Sequence, residues 1–253
     1  MVIRCIESTG STNNWVAENE GTLPSPCIVR CHTQLAGRGQ RGNSWESAPG
    51  LNFTGSLLLH PKSMHASRQF MLSEAVALAI VDTLADYGLE GKVKWPNDIY
   101  IGNKKICGIL VEHVITGHEI SRTIAGIGLN INQEKFFSDA PNPTSMKMET
   151  RISYKVDEVT SRLAVNLEKR LQCIAGAILP EDMDTSGCSD ALHTEFMATL
   201  WRNDGEFHPF MDKKSGEGMM AKIADVGKDG ILCLITSGGE KRNYAFKEIE
   251  FII

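Results

Sequence analysis

Lys92-Val93-Lys94-Trp95-Pro96-Asn97-Asp98-Ile99-Tyr100-Ile101-Gly102-Asn103-Lys104-Lys105-Ile106-Cys107-Gly108-Ile109-Leu110-Val111-Glu112 is the stretch on which the fold turns. Residues 92–95 have strand composition, and Pro96, with its fixed φ and no N–H, ends that strand. Strand character resumes at Ile99-Tyr100-Ile101. Gly102-Asn103 is turn chemistry, so residues 105–112 read as the returning strand of a hairpin. Asn97 and Asp98 then fall where side chains can turn toward a pocket, although alone the pair reads first as an ordinary turn. Gly108, inside the returning strand, marks a close approach to the backbone. Asp98 is a candidate Mg²⁺ ligand, because Mg²⁺ commonly takes one or two carboxylates plus substrate phosphates.

Working outward, residues 1–60 read as alternating strand and loop, with strands at 27–31 and 52–59. A helix is expected over 67–87. Phe70, Met71, Ala75, Leu78, Ala79 and Val81 give it a broad apolar face, and Gly88 gives it a stop. Residues 122–130 form a further buried strand. The Pro-, Asn- and Asp-rich stretch 133–145 reads as a loop. Helices are expected over 156–178 and 189–202, the second with Leu192, Phe196 and Leu200 four residues apart. Beyond Asp204-Gly205, short strands at 221–224, 231–235 and 244–246 alternate with glycine turns, the pattern of a small β-barrel. The expected class is α+β. A mixed sheet with helices packed on it would span 1–204, and a small SH3-like barrel 205–253.

A second segment is as unusual as the hairpin: Gly37-Arg38-Gly39-Gln40-Arg41-Gly42-Asn43-Ser44-Trp45. Three glycines let the backbone approach a ligand and leave its N–H groups free to donate. Interleaved arginines can grip a phosphate or carboxylate in a bidentate fork. The bland alternative is a surface loop with solvated arginines. A P-loop is excluded, because Asn43 stands where lysine is required. A dinucleotide-binding loop is excluded because a strand, and no helix, follows.

The bulk of the chain sets outer bounds. The net charge of −5 over 253 residues argues against a general nucleic-acid binder, which carries a basic excess. No run approaches the roughly 18 apolar residues that cross a bilayer. The opening Met1-Val2-Ile3-Arg4-Cys5-Ile6-Glu7 lacks a signal-peptide layout. Seven scattered cysteines fit a reducing cytoplasm better than a disulfide framework, and Cys27, Cys31 and His32 lack the second ligand pair of a zinc site.

Five segments in order carry a resemblance. They are Ser11-Thr12-Asn13; residues 34–45; Lys94 to Asp98; Lys105-Ile106-Cys107-Gly108-Ile109-Leu110-Val111-Glu112; and Gly126-Ile127-Gly128-Leu129-Asn130-Ile131-Asn132. In this order and spacing the chain resembles biotin protein ligases. The resemblance implies biotin and MgATP as substrates, a biotinyl-5′-adenylate intermediate, and transfer to a lysine of a biotin carboxyl carrier protein.

It also implies roles. Ser11, Thr12, Asn13 and Gln34 match the groups that hold biotin's ureido ring, and Gly37, Arg38 and Gly39 the loop that closes over biotin and the acyl phosphate. Lys105 would neutralise the carboxylate and α-phosphate, acting catalytically with Arg38, and Gly108 would line the biotin floor. Trp45 would shield the adenylate, with Arg38, Gln40, Arg41, Asn97, Lys105 and Asn130 around the nucleotide. Without the family, Ser11 and Thr12 would be a helix cap, Trp45 and Trp95 core rings, and Gly126 and Gly128 packing glycines.

Two departures stand out. Many family members have arginine where this chain has Gln40, a loss of charge that Arg41 or Lys105 would offset, and retention of the adenylate is expected. Some members also carry an N-terminal DNA-binding domain. Ser11 comes too early here for one, so an enzyme with no DNA partner and no membrane partner is expected. Members can dimerise through the sheet edge, and nothing in the sequence predicts a homodimer. The rival readings are a lipoate or octanoate ligase of the same fold and a non-catalytic biotin-sensing regulator.

Overall fold

The computed structural model describes residues 1–39, 43–138, 142–174, 176–178 and 186–253. In chain order the elements are β1 (Val2–Thr9), α1 (Thr12–Asn19), β2 (Cys27–Gln34), β3 (Gly37–Arg38), β4 (Ser44–Trp45), β5 (Phe53–Leu59) and α2 (Gln69–Ala85). There follow β6 (Lys92–Lys94), β7 (Asp98–Ile101), β8 (Lys104–Thr116), β9 (Glu119–Leu129), α3 (Met146–Thr150), α4 (Val156–Leu171) and α5 (Ser186–Thr199). The chain finishes with β10 (His208–Asp212), β11 (Gly218–Val226), β12 (Leu232–Thr236), β13 (Lys241–Tyr244) and β14 (Ile249–Phe251).

Seven strands form one mixed sheet in the order β1-β2-β5-β9-β8-β7-β6. Only β1 and β2 pair in parallel; every other neighbouring pair is antiparallel. Side chains alternate between the two faces of a strand, and here the alternation sorts chemistry. On β9, Ala125, Ile127 and Leu129 join the main core, as do Leu57 and Leu59 of β5 and Cys107 and Ile109 of β8. Helix α2 is apolar nearly all round and lies in that core with Leu163 and Leu167 of α4 and Leu192 and Phe196 of α5. On the opposite face α1 covers one end of the sheet. There Val16 packs with Cys27, Val29, Leu58 and Ile124. Past the end of α1 that face presents Thr54, Ser56, Gly108, Gly126 and Gly128, and it stays open.

The expected hairpin is present. Asp98 pairs with Gly108 and Ile99 with Cys107, and Gly102 turns the chain with φ +55°. Its returning strand is longer than the expected 105–112, because the β8–β9 ladder runs on to Thr116 opposite Glu119. The Trp95–Pro96 bond is cis. The expected helix over 67–87 is α2, preceded by a 3₁₀ turn at Ala66–Arg68 and followed by Gly88 at φ +74°.

Several expectations need correction. The first 60 residues contain a helix, α1, whose short and weakly apolar sequence gives little periodic signal. The helix expected over 156–178 ends at Leu171. Cys173 and Cys188 form a disulfide, so the chain is not a set of free thiols; Cys5, Cys27, Cys31, Cys107 and Cys233 are free. Burial pushes the Cys31 thiol up to about 11, which marks it as a packed apolar group.

After α5 a separate antiparallel sheet of five strands runs β13-β12-β11-β10-β14. Its neighbouring members β10 and β14 were missed, since neither forms an alternating run long enough to show. This sheet shares one core with the larger one through Phe210, Ile223, Leu234 and Phe251. Trp95 is the seam. Its Nε1 donates to the Gly230 carbonyl at 3.1 Å, and its ring meets Phe246 edge-on at 5.3 Å. Among the described residues no helix is long and apolar enough to cross a membrane.

Candidate active site

The open face of the sheet forms the floor of a cavity of about 580 Å³. It brings together nearly all the expected residues: Ser11, Thr12, Asn13, Gln34, Arg38, Gly39, Trp45, Asn97, Asp98, Lys105, Gly108 and Asn130. Gly37 does not line it. A Cβ on Gly37 would sit 2.4 Å from the Trp45 carbonyl oxygen, so its glycine serves the close packing of β3 on β4. Gln40 and Arg41 lie outside the described residues.

One end of the cavity is a buried polar cluster. Ser11 occupies the N-cap of α1, yet its hydroxyl makes no cap bond and lines the cavity. Gln34 Oε1 accepts from the Thr12 backbone N–H at 2.9 Å and from the Thr12 hydroxyl at 3.3 Å. The Ser56 hydroxyl donates to Asn13 Oδ1 at 2.6 Å and lies 2.7 Å from the Thr12 hydroxyl. Asn13 Nδ2 donates to Glu112 Oε2 at 2.7 Å and to the Leu110 carbonyl at 3.3 Å. Asn13, expected as a ligand contact, therefore spends its amide on holding the framework. Ser56 was missed by sequence reasoning, although its place on β5 opposite Gly126 of β9 puts it on the open face.

The floor is made of glycines. A Cβ on Gly126 would meet Asn13 Oδ1 at 2.5 Å. On Gly128 it would meet the Trp45 ring at 2.2 Å, and on Gly108 the same ring at 2.8 Å. Trp45 thus lies on a two-strand glycine surface, with the Lys105 ammonium 5.6 Å from its ring centroid.

The other end carries charge. Lys105 Nζ and Asp98 Oδ1 are 2.7 Å apart and partly buried. Arg38 Nη2 donates to both oxygens of Glu112, at 3.1 and 3.0 Å. Asn97 Nδ2 donates to the Ile109 carbonyl at 2.6 Å, fixing the bend after Pro96 against β8. Lys94, next to the cavity, is turned toward the small sheet, 5.1 Å from the Phe251 ring centroid; burial pushes its pKa down against the opposing pull of Asp98.

Two buried polar atoms at the cavity, Trp45 Nε1 and Asn130 Oδ1, have no hydrogen-bond partner among the described residues. The Asn130 Nδ2 is used, donating to the Thr144 carbonyl at 2.9 Å. An orphaned acceptor of this kind costs about 1–3 kcal/mol unless a ligand meets it. Glu46, which sequence reasoning also missed, ties the neighbouring loop to β4. Its Oε2 accepts from the Phe137 and Ser138 N–H groups at 2.8 and 2.7 Å, and its Oε1 from Gln133 Nε2 at 3.0 Å. Burial would raise the Glu46 pKa, but these donors outweigh it and hold the carboxyl below its ordinary range. Among the described residues no cluster of three metal-ligating side chains occurs. Asp98 offers one carboxylate, one oxygen of which already faces Lys105.

Comparison with known proteins agrees with this geometry. Residues 2–130, just over half of the chain, match the model of the biotin/lipoate A/B protein ligase family. The chain is 31% identical over 169 residues to the bifunctional ligase/repressor BirA of Bacillus subtilis, a match covering 65% of this chain and 51% of that protein. It is 35% identical over 126 residues to the biotin–[acetyl-CoA-carboxylase] ligase of Paracoccus denitrificans, covering 49% and 52%. The chain thus spans about half the length of the curated relatives it matches. The biotin protein ligase from Aquifex aeolicus, solved in complex with biotin and ATP, superimposes with a TM-score of 0.77 at 20% identity, over 98% of this chain and 97% of that one. The match over residues 2–130, which include the strands and loops of this sheet face, places the chain in the biotin/lipoate A/B protein ligase family.

Proposed function

We propose that this protein adenylates biotin with MgATP and transfers the biotinyl group to a lysine of a biotin carboxyl carrier protein. The observation that carries this reading is the buried cluster of Thr12, Asn13, Gln34 and Ser56 at one end of a glycine-floored trench. A ring with urea-like donors and acceptors fits such a cluster, whose spare lone pairs an apolar analogue would cover without bonding. A lipoyl or octanoyl chain has nothing to offer those groups, which disfavours the rival ligase reading.

The chemistry needs no protein nucleophile. Biotin's carboxylate oxygen attacks the α-phosphorus, the bond to the bridging oxygen breaks, and pyrophosphate leaves. The neutral amine of the acceptor lysine then attacks the acyl carbon, AMP departs with the bond electrons, and the amine's proton passes to solvent. Two anions must first be brought together, and Lys105 and Arg38, both lining the cavity, are cations suited to that. Lys105, at the Asp98 end, would neutralise the carboxylate and α-phosphate. Trp45 would cover the mixed anhydride against water. The unpaired Asn130 Oδ1 suits the exocyclic amine of adenine. Asp98 would hold the Mg²⁺ that arrives with ATP, completed by phosphate oxygens. The cytoplasm is the compartment this reading expects for the reaction.

The test is incubation with biotin, MgATP and a carrier domain, followed by mass analysis. One carrier lysine should gain the biotinyl mass, and lipoate in place of biotin should give none. Transfer of lipoate with no transfer of biotin would overturn the reading.

A further inference from the structure

Glu112 does not line the cavity, yet it joins the two ends of the cavity's polar machinery. It sits on β8 on the same face as Gly108 and Leu110, where a carboxylate has no evident business beside a site for a neutral ring. Its oxygens accept from Arg38 Nη2 and from Asn13 Nδ2. From Asn13 the hydrogen bonds continue through Ser56 to Thr12 and on to Gln34, each 3.3 Å or shorter. From Gln34 the backbone runs through Leu35 and Ala36 back to Arg38. Along it, Leu35 and Ala36 N–H groups donate to the Thr9 and Gly10 carbonyls at 2.9 and 2.8 Å. The polar side chains and this length of backbone therefore form a closed circuit, and Glu112 is the link through which the β3–β4 ribbon is held at its outer end. The inner end is held by Trp45 on the glycine floor.

We propose that Glu112 is a positioning residue: it tethers the ribbon through Arg38, so that the arrangement of the ring-binding side chains and the seating of the ribbon depend on each other. In a satisfied network a change in one member is felt by the others. Glu112 touches no reacting atom, and its effect passes through Arg38 and Asn13. This inference rests on the reading of the site as a biotin site, but the tether itself exists without ligand and can be measured without it. Arg38 and Glu112 side chains are each 42% exposed, so the tether is of modest strength.

The experiment pairs Glu112→Gln with Arg38→Ala and the double variant. In the protein without substrates, hydrogen exchange at the Gly39 and Trp45 amides should quicken about fivefold in either single variant, with no further gain in the double. In biotin-dependent ATP–pyrophosphate exchange, Glu112→Gln should raise the KM for biotin about fivefold and leave the KM for ATP unchanged. The same substitution in the Arg38→Ala background should leave the biotin KM where Arg38→Ala alone put it. A merely structural role would give equal effects in both backgrounds, and that result overturns the tether. Unchanged amide exchange in Glu112→Gln overturns it as well. Should Glu112→Gln unfold the chain, Arg38→Ala cuts the same contact from the other side, and unchanged exchange at the Trp45 amide decides against it. Amide exchange behaving as expected in a wild-type chain that shows no biotin-dependent exchange would leave the tether standing and remove the biotin reading.

Discussion

The two ends of the cavity are built on opposite principles. At the α1 end, neutral side chains are buried and bonded to one another: Thr12, Asn13 and Ser56 are each under 5% exposed. At the hairpin end the working groups are ions, each already facing a carboxylate, Lys105 with Asp98 and Arg38 with Glu112. A neutral ring can be met by groups fixed in advance, because dipoles cost little to hold in place once their partners are satisfied. An anion cannot be met by a bare buried cation, since an unpaired charge in such a place is costly. On the proposed function, the neutral end would meet its ligand preformed, while Lys105 would neutralise a substrate anion by exchanging Asp98 for it, with Arg38 staying on Glu112.

Lys105→Ala strikes the ionic end hardest. The rate of biotin-dependent pyrophosphate exchange should fall roughly a hundredfold, the loss expected when one preorganised electrostatic contact is removed. A fall of less than about fivefold would mean that this end does not carry the adenylation step. Gly128→Ala attacks the floor the two ends share. A methyl there overlaps the Trp45 ring, so the biotin KM should rise roughly tenfold with a shift in tryptophan fluorescence. An unshifted spectrum would show that the ring does not rest on Gly128 in solution. Thr12→Val tests the preformed end. It keeps the shape but strips the hydroxyl that faces Gln34 and Ser56, and the biotin KM should rise about fivefold with the ATP KM unchanged. Equal effects on both substrates would erase the distinction between the ends.

The smallest effect concerns pH. Glu46 has a lowered pKa, so its hold on the Phe137 and Ser138 amides is complete above the unfolded-state value and is lost as pH falls through the lower, folded-state value. Exchange at those two amides, corrected for intrinsic rates, should quicken on acidification past the ordinary carboxylate range and show no such step in Glu46→Gln. A step of the same size in the variant would assign the titration to another group.

How much of this was legible in the sequence follows from which signals are local. The hairpin was readable because Pro96, Gly102 and the apolar run after Lys105 act over a few residues. Helix α2 was readable because its apolar face is continuous. Helix α1 was not, since Asn13, Asn14, Glu18 and Asn19 dilute any stripe, and its role is to present polar groups inward. Most residues that line the cavity were legible through resemblance and spacing, but their hydrogen-bond partners were not. The Asn13 and Asn97 amides bond to Glu112 and to the Ile109 carbonyl, partners far from them in the sequence. Ser56 and Glu46 carry no motif. They matter through strand register and a loop contact, which no stretch of contiguous letters records.

The glycines at 108, 126 and 128 have a consequence for how such a pocket can change. A wall of side chains can be trimmed by substitution, and a larger ligand admitted. A floor that already ends in hydrogen atoms has nothing left to trim. Every mutation at those three positions subtracts room, so inheritance can drive this surface only toward smaller guests. Any broadening of what the protein accepts must come from the covering side, by way of Trp45 and the ribbon that carries it.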